Sequence, residues 1–386
     1  MNFQFYVPTK ILFGEGQEAR FAKEVKKWGD SALMVYGGGS VKRNGIYDAI
    51  AGPLREAGIR LVDFGGVEPN PRVESVRQGV ELARREGVQV VIPIGGGSTI
   101  DAAKAIAAGV KTQVDPWEFV SGKVKVEEAL PILSVLTLAA TGSEMDSSSV
   151  ITNPETREKL GWSSKHVLPK VSLMNPAYTT TVSPYQTAAG TADIMSHTME
   201  NYFSVDTGAF MQDTFSEGIL ETCIQYGPVA LKEPENLEAR GNLMWAGSWA
   251  INGLTKTGKS QAWSVHPMEH ELSAFYDITH GVGLALLTPP WLSHILSEKT
   301  APRIARFGRR LFGLEGEDMA VAREAIQKLH DFFVSMDIPM SLKEVGIGEE
   351  HLEEMARACM DHCGGSIDGF VPLNEEDVLA IYRAAL

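Results

Sequence analysis

The sequence predicts a two-domain protein in which an α/β domain with a parallel sheet precedes an all-helical domain. In the first half of the 386 residues, short apolar runs alternate with helical patterns, as in proteins whose parallel strands are joined by helices. From Tyr185 onward, apolar residues recur at helical spacing and few strand-like runs remain. We therefore divide the chain into domains at residues 1–180 and 181–386.

The first half repeats the order strand, turn and helix. Residues 31–36 and 88–94 are apolar runs that each end at a glycine-rich turn, and residues 76–87 between them have helical spacing. Three further apolar runs read as strands: 59–66, 131–136 and 171–176.

The second half contains amphipathic segments long enough to form helices. They are residues 186–203, 213–227, 237–253, 303–313, 318–336 and 375–386. Segments of this kind pack against one another through their apolar faces, which predicts a helical domain.

Composition and charge exclude several classes of function. The net charge of −14 argues against a nucleic-acid surface and against binding to anionic membranes by charge. Three cysteines do not make a disulfide framework, and the pair Cys359 and Cys363 forms an incomplete metal site. The N-terminus lacks signal-peptide features, and no apolar run approaches the ~20 residues that span a bilayer. We expect a cytoplasmic protein.

Two Gly-Gly-Gly-Ser turns are candidates for binding phosphate. Residues 37–40 and 95–98 each follow an apolar run, and the second precedes a helix whose first N–H groups favour an anion. Ser98 and Asp101 also fit a capping box with Asp in place of Glu. Residues 14–19 match the dinucleotide fingerprint, but no acidic residue lies about 20 positions on. We interpret that segment as a surface turn.

The turn after the first apolar run favours NADP(H) over NAD(H). An NAD-binding protein places a carboxylate there, against the ribose 2′-hydroxyl, whereas this chain has Ser40, Lys42 and Arg43, which could accept a 2′-phosphate. A third loop, residues 137–144, is rich in small and hydroxyl residues and follows an apolar run, so it could line a cofactor.

Histidines cluster in a way that suggests a metal site. Asp193 and His197 are four residues apart on a helix, as are His266 and His270, and His280 follows ten residues later. Imidazole and carboxylate ligands suit divalent iron or zinc. Spacing alone favours His266 and His270 as the second chelating pair, and leaves open whether His280 replaces one of them.

The motifs taken together resemble the iron-containing (group III) alcohol dehydrogenases. The resemblance covers almost the whole chain and runs in order through these segments: YVPTKILFGEG, GGGS, GGGSTIDAAKAIA, TLAATGSE, DIMSH and HPMEHELSAFYDITHG. Within that family, GGGSVKRNG, ATGSE and HELSAFY are most similar to the NADPH-dependent butanol dehydrogenase and aldehyde reductase branch. The resemblance implies a dinucleotide-binding domain, a helical metal-binding domain and an active site in the cleft between them.

The resemblance also implies roles for individual residues. One divalent metal, Fe(II) or Zn(II), would be held by Asp193, His197, His266 and His280. His270 would be a catalytic histidine that relays a proton. The cofactor would be held by Gly38, Ser40, Asn70, Gly96, Gly97, Ser98, Asp101, Thr137, Thr141 and Lys159. The implied activity is hydride transfer between NADP(H) and a small primary alcohol or aldehyde of the butanol type.

Two other functions remain open at this stage. A metal- and NAD-dependent lyase of the dehydroquinate synthase type would use a related fold, but it needs a cluster of Lys and Arg that the sequence around Asp193 and His266 lacks. A dinucleotide-binding sensor without catalysis would have an incomplete ligand set. The apolar N-terminal segment, residues 3–13, suggests a homodimer edge. Trp162 and Trp263 could line a substrate pocket or belong to the core.

Overall fold

The computed structural model describes residues 2–205, 208–259 and 263–386. They divide into two compact units, which we call the α/β unit and the helical unit. The α/β unit comprises Tyr6–Val182 and Pro234–Ser248. The helical unit comprises a short segment ending at Phe5, Ser183–Glu233 and Trp249–Leu386. The fold class expected from the sequence, a parallel sheet followed by a helical region, is confirmed.

The α/β unit is built on a parallel sheet. The strands are β1 (Lys10–Phe13), β2 (Ser31–Tyr36), β3 (Arg60–Phe64), β4 (Val90–Gly95), β5 (Leu133–Leu136), β6 (Ser148–Asn153), β7 (Glu158–Ser163) and β8 (Val171–Met174). Six of them form the sheet in the order β1-β8-β5-β4-β2-β3, with every neighbouring pair parallel. Strands β6 and β7 form a separate antiparallel hairpin.

Helices cover both faces of this sheet. They are α1 (Glu18–Lys26), α2 (Ser40–Arg43), α3 (Ile46–Glu56), α4 (Val73–Arg85), α5 (Gly97–Lys111) and α6 (Pro116–Val120). Leu33 and Val35 of β2 pack into one core with α4 and α5, whereas Ala32 and Met34 pack into the other with α1 and α3. Because both faces are buried, β2 is apolar at successive positions rather than alternating.

The strand order gives the sheet a switch point between β2 and β4. The chain runs from β2 to β3 on one side and then returns to β4 on the other side of β2. Ligands of open parallel sheets bind beyond the carboxyl ends of strands at such a point. Both Gly-Gly-Gly-Ser turns lie there, because residues 37–40 follow β2 and residues 95–98 begin at the last residue of β4.

The region after β8 is helical. Its helices are α7 (Pro184–Tyr202), α8 (Phe210–Lys232), α9 (Leu237–Ile251), α10 (Val265–Tyr276), α11 (His280–His294), α12 (Ala301–Phe312), α13 (Asp318–Ser335), α14 (Leu352–His362) and α15 (Glu375–Ala384). Helix α7 is buried along nearly its whole length. Gly281 lets α11 approach it closely, because a Cβ at Gly281 would overlap the carbonyl oxygen of Ala189. In the part of the chain that the structure describes, no helix is long and apolar enough to cross a membrane.

Some elements were not anticipated from the sequence, and β1, the β6–β7 hairpin and α11 show why. Strand β1 is short and lies at the sheet edge, where it pairs only with β8. The β6–β7 hairpin reverses through a loop in which Arg157 has a φ of 54°, a conformation that local sequence does not signal. Helix α11 contains Pro289 and Pro290, which ordinarily end a helix rather than continue one.

Candidate functional site

The helical unit brings four candidate metal ligands together. Asp193, His197, His266 and His280 each offer one ligand atom, and these four atoms lie within 4.8 Å of one another. Helix α7 supplies the first two, α10 begins one residue before His266, and His280 is the first residue of α11. The Nε2 atoms of His197 and His280 lie 3.7 and 3.8 Å from Oδ1 of Asp193.

A buried carboxylate orients His266. Glu200 lies on α7, one turn beyond His197, and one of its oxygens accepts a hydrogen bond from Nδ1 of His266. The same carboxylate accepts the backbone N–H groups of Ser264, Val265 (2.8 Å) and His266 (3.2 Å) at the start of α10. An ionised carboxylate only accepts, so Nδ1 carries the proton and the lone pair stays on Nε2. That Nε2 atom is buried and has no hydrogen-bond partner among the described residues.

His280 is held in the same way by a second carboxylate. Nδ1 of His280 contacts an oxygen of Glu269, a fully buried residue on α10, and the other oxygen of Glu269 accepts from the hydroxyl of Ser273. Carboxylates that bind the outer nitrogen of a metal-ligating histidine fix its tautomer and make it a stronger ligand. Three imidazoles, one carboxylate and two orienting carboxylates therefore fit a divalent metal ion.

The histidines differ in protonation because their surroundings differ. Burial, reinforced by the neighbouring histidines, holds the pKa of His197 well below its usual value, so this imidazole is neutral and can donate its lone pair. Burial, the largest single effect, lowers the pKa of His266, but the carboxylates of Glu200, Asp193 and Glu269 together raise it, and the net shift is upward.

His270 lies beside this group without belonging to it. Its ring centroid is 5.8 Å from that of His280 and 6.2 Å from that of His266. His270 belongs instead to a second group of possible metal ligands, together with Glu269 and His280. Trp263 packs its ring edge against His266, with centroids 4.7 Å apart, so it forms a wall of the site. Trp162 instead packs on Phe119 in the α/β core.

The α/β unit places the predicted cofactor residues at the carboxyl end of its sheet. Gly38 and Ser40 follow β2 and are exposed, and Gly96 and Gly97 follow β4. A Cβ at Gly97 would overlap the side chain of Thr141, so this position requires glycine. Thr137 directly follows β5, and its N–H bonds to the carbonyl oxygen of Gly95 at 3.0 Å.

The remaining cofactor candidates lie on the hairpin and the loop beside it. Lys159 is buried on β7, where it pairs with Thr152 of β6. The N–H of Thr152 bonds to the carbonyl of Pro71 at 2.8 Å, which brings the hairpin to the loop that carries Asn70. Asn70 is buried and has a φ of 50°. Asn70 and Lys159 are far apart in sequence, so local sequence pattern could not predict that the loop and the hairpin that carry them are neighbours.

The capping box expected from Ser98 and Asp101 is wrong. Helix α5 begins after Gly96, and no side chain caps it. Both carboxylate oxygens of Asp101 point elsewhere: Oδ1 accepts from the hydroxyl of Ser143 (2.6 Å) and Oδ2 from the N–H of Val150 (2.8 Å). Burial raises the pKa of Asp101 to about 6. Among the described residues no side chain caps the N–H groups at this helix start, which suits a phosphate.

The sequence analysis did not identify two buried charged residues, one beside the candidate metal ligands and one beside the cofactor candidates. Glu200 is three residues after His197 and seven after Asp193, so all three lie on one face of α7. Lys104, three residues after Asp101, is fully buried in the α/β unit. Helical spacing could have placed both residues on the correct face. It could not have revealed their burial.

Two family models match the chain almost end to end. The model described as iron-containing alcohol dehydrogenase matches residues 8–176, and the C-terminal model of the Fe-containing alcohol dehydrogenase family matches residues 187–386. The chain belongs to the iron-containing alcohol dehydrogenase family. The resemblance drawn from the motifs is therefore confirmed, and this iron-containing alcohol dehydrogenase is an oxidoreductase. Membership implies a divalent metal and a nicotinamide cofactor.

Relatives of this iron-containing alcohol dehydrogenase are similar over their whole length. NADH-dependent butanol dehydrogenase A of Clostridium acetobutylicum is 50% identical over 99% of both chains. NADPH-dependent aldehyde reductase YqhD of Escherichia coli is 36% identical over 94% of this chain and 93% of its own. The crystal structure of NADH-dependent butanol dehydrogenase A from Thermotoga maritima superposes with a TM-score of 0.96, at 38% identity over 100% of this chain and 98% of that one. The names of these relatives give different dinucleotides: the two butanol dehydrogenases are named as NADH-dependent and the aldehyde reductase as NADPH-dependent.

Replacing Glu200 by Gln should weaken metal binding by about 10–100-fold, because the amide cannot accept the His266 proton and the backbone N–H groups together. Metal affinity is measured by competition with a chromophoric chelator. Glu221→Gln, on the exposed side of α8, is the matched control and should bind metal as the parent protein does. Equal affinity in both variants would show that Glu200 does not support the ligand.

Proposed function

We propose that the protein is a metal-dependent alcohol dehydrogenase and aldehyde reductase that transfers a hydride between a nicotinamide cofactor and a small primary alcohol or aldehyde. The observation that carries the proposal is the buried group of four ligand atoms within 4.8 Å in the helical unit. The names of the butanol dehydrogenase and aldehyde reductase relatives support a substrate of the butanol type.

In this proposal each residue has a defined task. Asp193, His197, His266 and His280 would hold one divalent ion, Fe(II) or Zn(II), which as a Lewis acid polarises a carbonyl oxygen or favours ionisation of an alcohol. In reduction, His270 would give a proton to the oxygen of the reduced carbonyl to form the alcohol, and in oxidation it would take that proton from the alcohol, since imidazole changes charge most readily near neutral pH. The cofactor candidates of the α/β unit would fix where a bound nicotinamide gives or accepts the hydride.

We further propose that NADP(H) is preferred over NAD(H). Residues 37–44 after β2 contain no acidic residue. Asp63, near the end of β3, is an acidic residue close to this turn. Its carboxylate binds the ammonium group of Lys42 at 2.9 Å and accepts a hydrogen bond from the hydroxyl of Tyr47. Ser40 and Arg43 are exposed beside it, where they can meet a 2′-phosphate. Gly38 leaves open space for that group.

We propose in addition a cytoplasmic homodimer. Strand β1 lies at the sheet edge, and an edge strand offers unpaired backbone groups to a second chain. Phe3, Phe5, Tyr6 and Phe13 around it are exposed by 41% to 70%, an unusual density of large apolar side chains. The three cysteines are free thiols, which suits a reducing compartment.

The parent protein should oxidise NADPH when butanal is added, and it should contain about one metal ion per chain by elemental analysis. His280→Ala removes a ligand and should lose both the metal and the activity. His270→Ala should keep the metal and lower kcat by ~10²–10⁴-fold, the usual contribution of a proton-transfer residue. His330→Ala, at a partly exposed histidine on α13, is the control and should change neither.

Two outcomes would contradict these assignments. Full metal content in His280→Ala would remove His280 from the ligand set. Loss of metal in His270→Ala would make His270 a ligand and leave the proton-transfer step without its residue.

Gly38→Asp should weaken the preference for NADPH, because it sets a carboxylate where the 2′-phosphate is expected while its Cβ meets no atom within 4 Å. We expect kcat/KM for NADPH to fall at least ~10-fold and kcat/KM for NADH to stay unchanged. A repulsion of about 1.4 kcal/mol between the two negative charges corresponds to that factor. Gly38→Asn is the uncharged control. Equal kcat/KM for NADPH and NADH in the parent protein would contradict the proposed preference.

Light scattering should give twice the mass of one chain in dilute solution. Replacing Ile11 by Pro removes an N–H group of the edge strand and should shift the population toward single chains. A parent protein that is monomeric at micromolar concentration would rule out the dimer.

A further inference from the structure

A lysine with no exposed surface lies beneath the predicted cofactor loop. Lys104 is on the second turn of α5, and its ammonium group donates three hydrogen bonds: to the hydroxyl of Ser143 (2.8 Å), to Oδ1 of Asp146 (2.5 Å) and to the carbonyl of Ser148 (2.7 Å). An ammonium group has three protons, so every donor is used. Neither the hydride transfer nor the metal site requires this charge.

The partners of Lys104 all belong to elements that carry cofactor candidates. Ser143 and Asp146 lie in the inner part of the loop that begins at Thr137, and Ser148 begins strand β6 of the hairpin that carries Lys159. Asp101 reinforces the same junction, because it accepts from Ser143 and from the N–H of Val150. One buried cluster therefore joins α5 to both the loop and the hairpin.

The loop is fixed at a second point that faces the glycine turn. The hydroxyl of Thr141 accepts the N–H of Ser143 at 3.2 Å, and its side chain packs on Gly97, the first residue of α5. Residues 137–139 and Thr141 remain partly exposed, whereas residues 142–146 are buried. The buried half of the loop thus sets the position of the half that is available to a ligand.

Stability alone is a weak reason to keep such a group. Burying an ammonium ion and its carboxylate partners costs more free energy of hydration than their attraction usually returns, and apolar residues of similar volume often stabilise a protein equally well. A buried ionic cluster does fix one geometry, because each hydrogen bond has a required direction.

We propose that Lys104 is a positioning residue that preforms the cofactor surface by holding the 137–146 loop and the β6–β7 hairpin against α5. The inference rests on the proposed function, since it assumes that Thr137, Thr141 and Lys159 contact a nicotinamide dinucleotide. Without the ammonium group the loop and the hairpin lose their common anchor. Dinucleotide binding must then order them, which weakens affinity.

The test uses two variants, because Lys104→Met alone leaves two carboxylates buried without their cation. Lys104→Met combined with Asp146→Asn removes one of those charges, and Ser143→Ala breaks the link to the loop without burying any new charge. The control is Ile106→Ala, a cavity variant on the same helix whose side chain packs on Gly79 of α4 instead of on the loop. Thermal unfolding of each variant shows whether the control is destabilised as much as the others.

The measurement is the Kd for NADPH by fluorescence titration without substrate, together with KM for butanal at saturating NADPH and the metal content. We expect the Kd to rise about tenfold in the double variant, as for the loss of one charge-assisted hydrogen bond, and severalfold in Ser143→Ala. KM for butanal and metal content should not change, and Ile106→Ala should keep the parent Kd within twofold.

Two results would overturn the inference. One is a Kd within twofold of the parent value in either variant that folds. The other is an equal rise in Ile106→Ala at the same loss of thermal stability, which would make Lys104 a structural residue only. If the parent protein itself binds neither NADPH nor NADH, the proposed function fails instead.

Discussion

The carboxylate of Glu200 joins helix α7 to the start of helix α10, and the candidate metal centre depends on this contact. It accepts hydrogen bonds from three consecutive backbone N–H groups, residues 264–266, and from the ring of His266. The first N–H groups of a helix have no partner within the helix, so a buried helix start requires such an acceptor. The same acid therefore completes the helix and sets the tautomer of a candidate ligand.

The second helix start is fixed by different means. His280 begins α11, and Glu269 of α10 holds its ring. Gly281 then allows α11 to lie against the backbone of α7 at Ala189, closer than any larger residue would permit. Three helices thus converge on one point because of two buried acids and one glycine. Asp193 and His197 are already in place there on α7.

The sequence predicted that histidines and an aspartate form the candidate metal site, but helical spacing alone did not predict which histidines lie together in it. Helical spacing favours His266 with His270, because it treats the segment as one continuous helix. The chain instead reverses after Tyr276, where Asp277 takes a φ of 53°, and the four atoms that lie within 4.8 Å include one from His280 and none from His270. The assignment of His280 came from the family resemblance, since a turn of this kind leaves no periodic signal.

The fold was predictable where burial follows from apolar pattern, and it was not predictable where burial depends on charge. The strands β2, β4, β5 and β8 are mainly apolar and fully buried and were identified, and both glycine turns lie at the expected carboxyl end of the sheet. Lys104, Glu144, Glu200 and Glu269 are almost completely buried, although each is a residue type that usually marks a surface. Burial raises the pKa of Glu144 to about 7, because the charged carboxylate loses its hydration there. The partners of Lys104, Glu144 and Glu200 lie 39 or more residues away in sequence, so only the assembled fold reveals them.

The claim on which the account rests is that Asp193, His197, His266 and His280 together hold one divalent metal. An anomalous difference map from crystals of the metal-loaded protein, collected at the absorption edge of that metal, tests it directly. The account predicts one peak at ~2.0–2.2 Å from a carboxylate oxygen of Asp193 and from one ring nitrogen of each of the three histidines. A peak bonded to His270 in place of His280, or no peak among these four side chains, would contradict it.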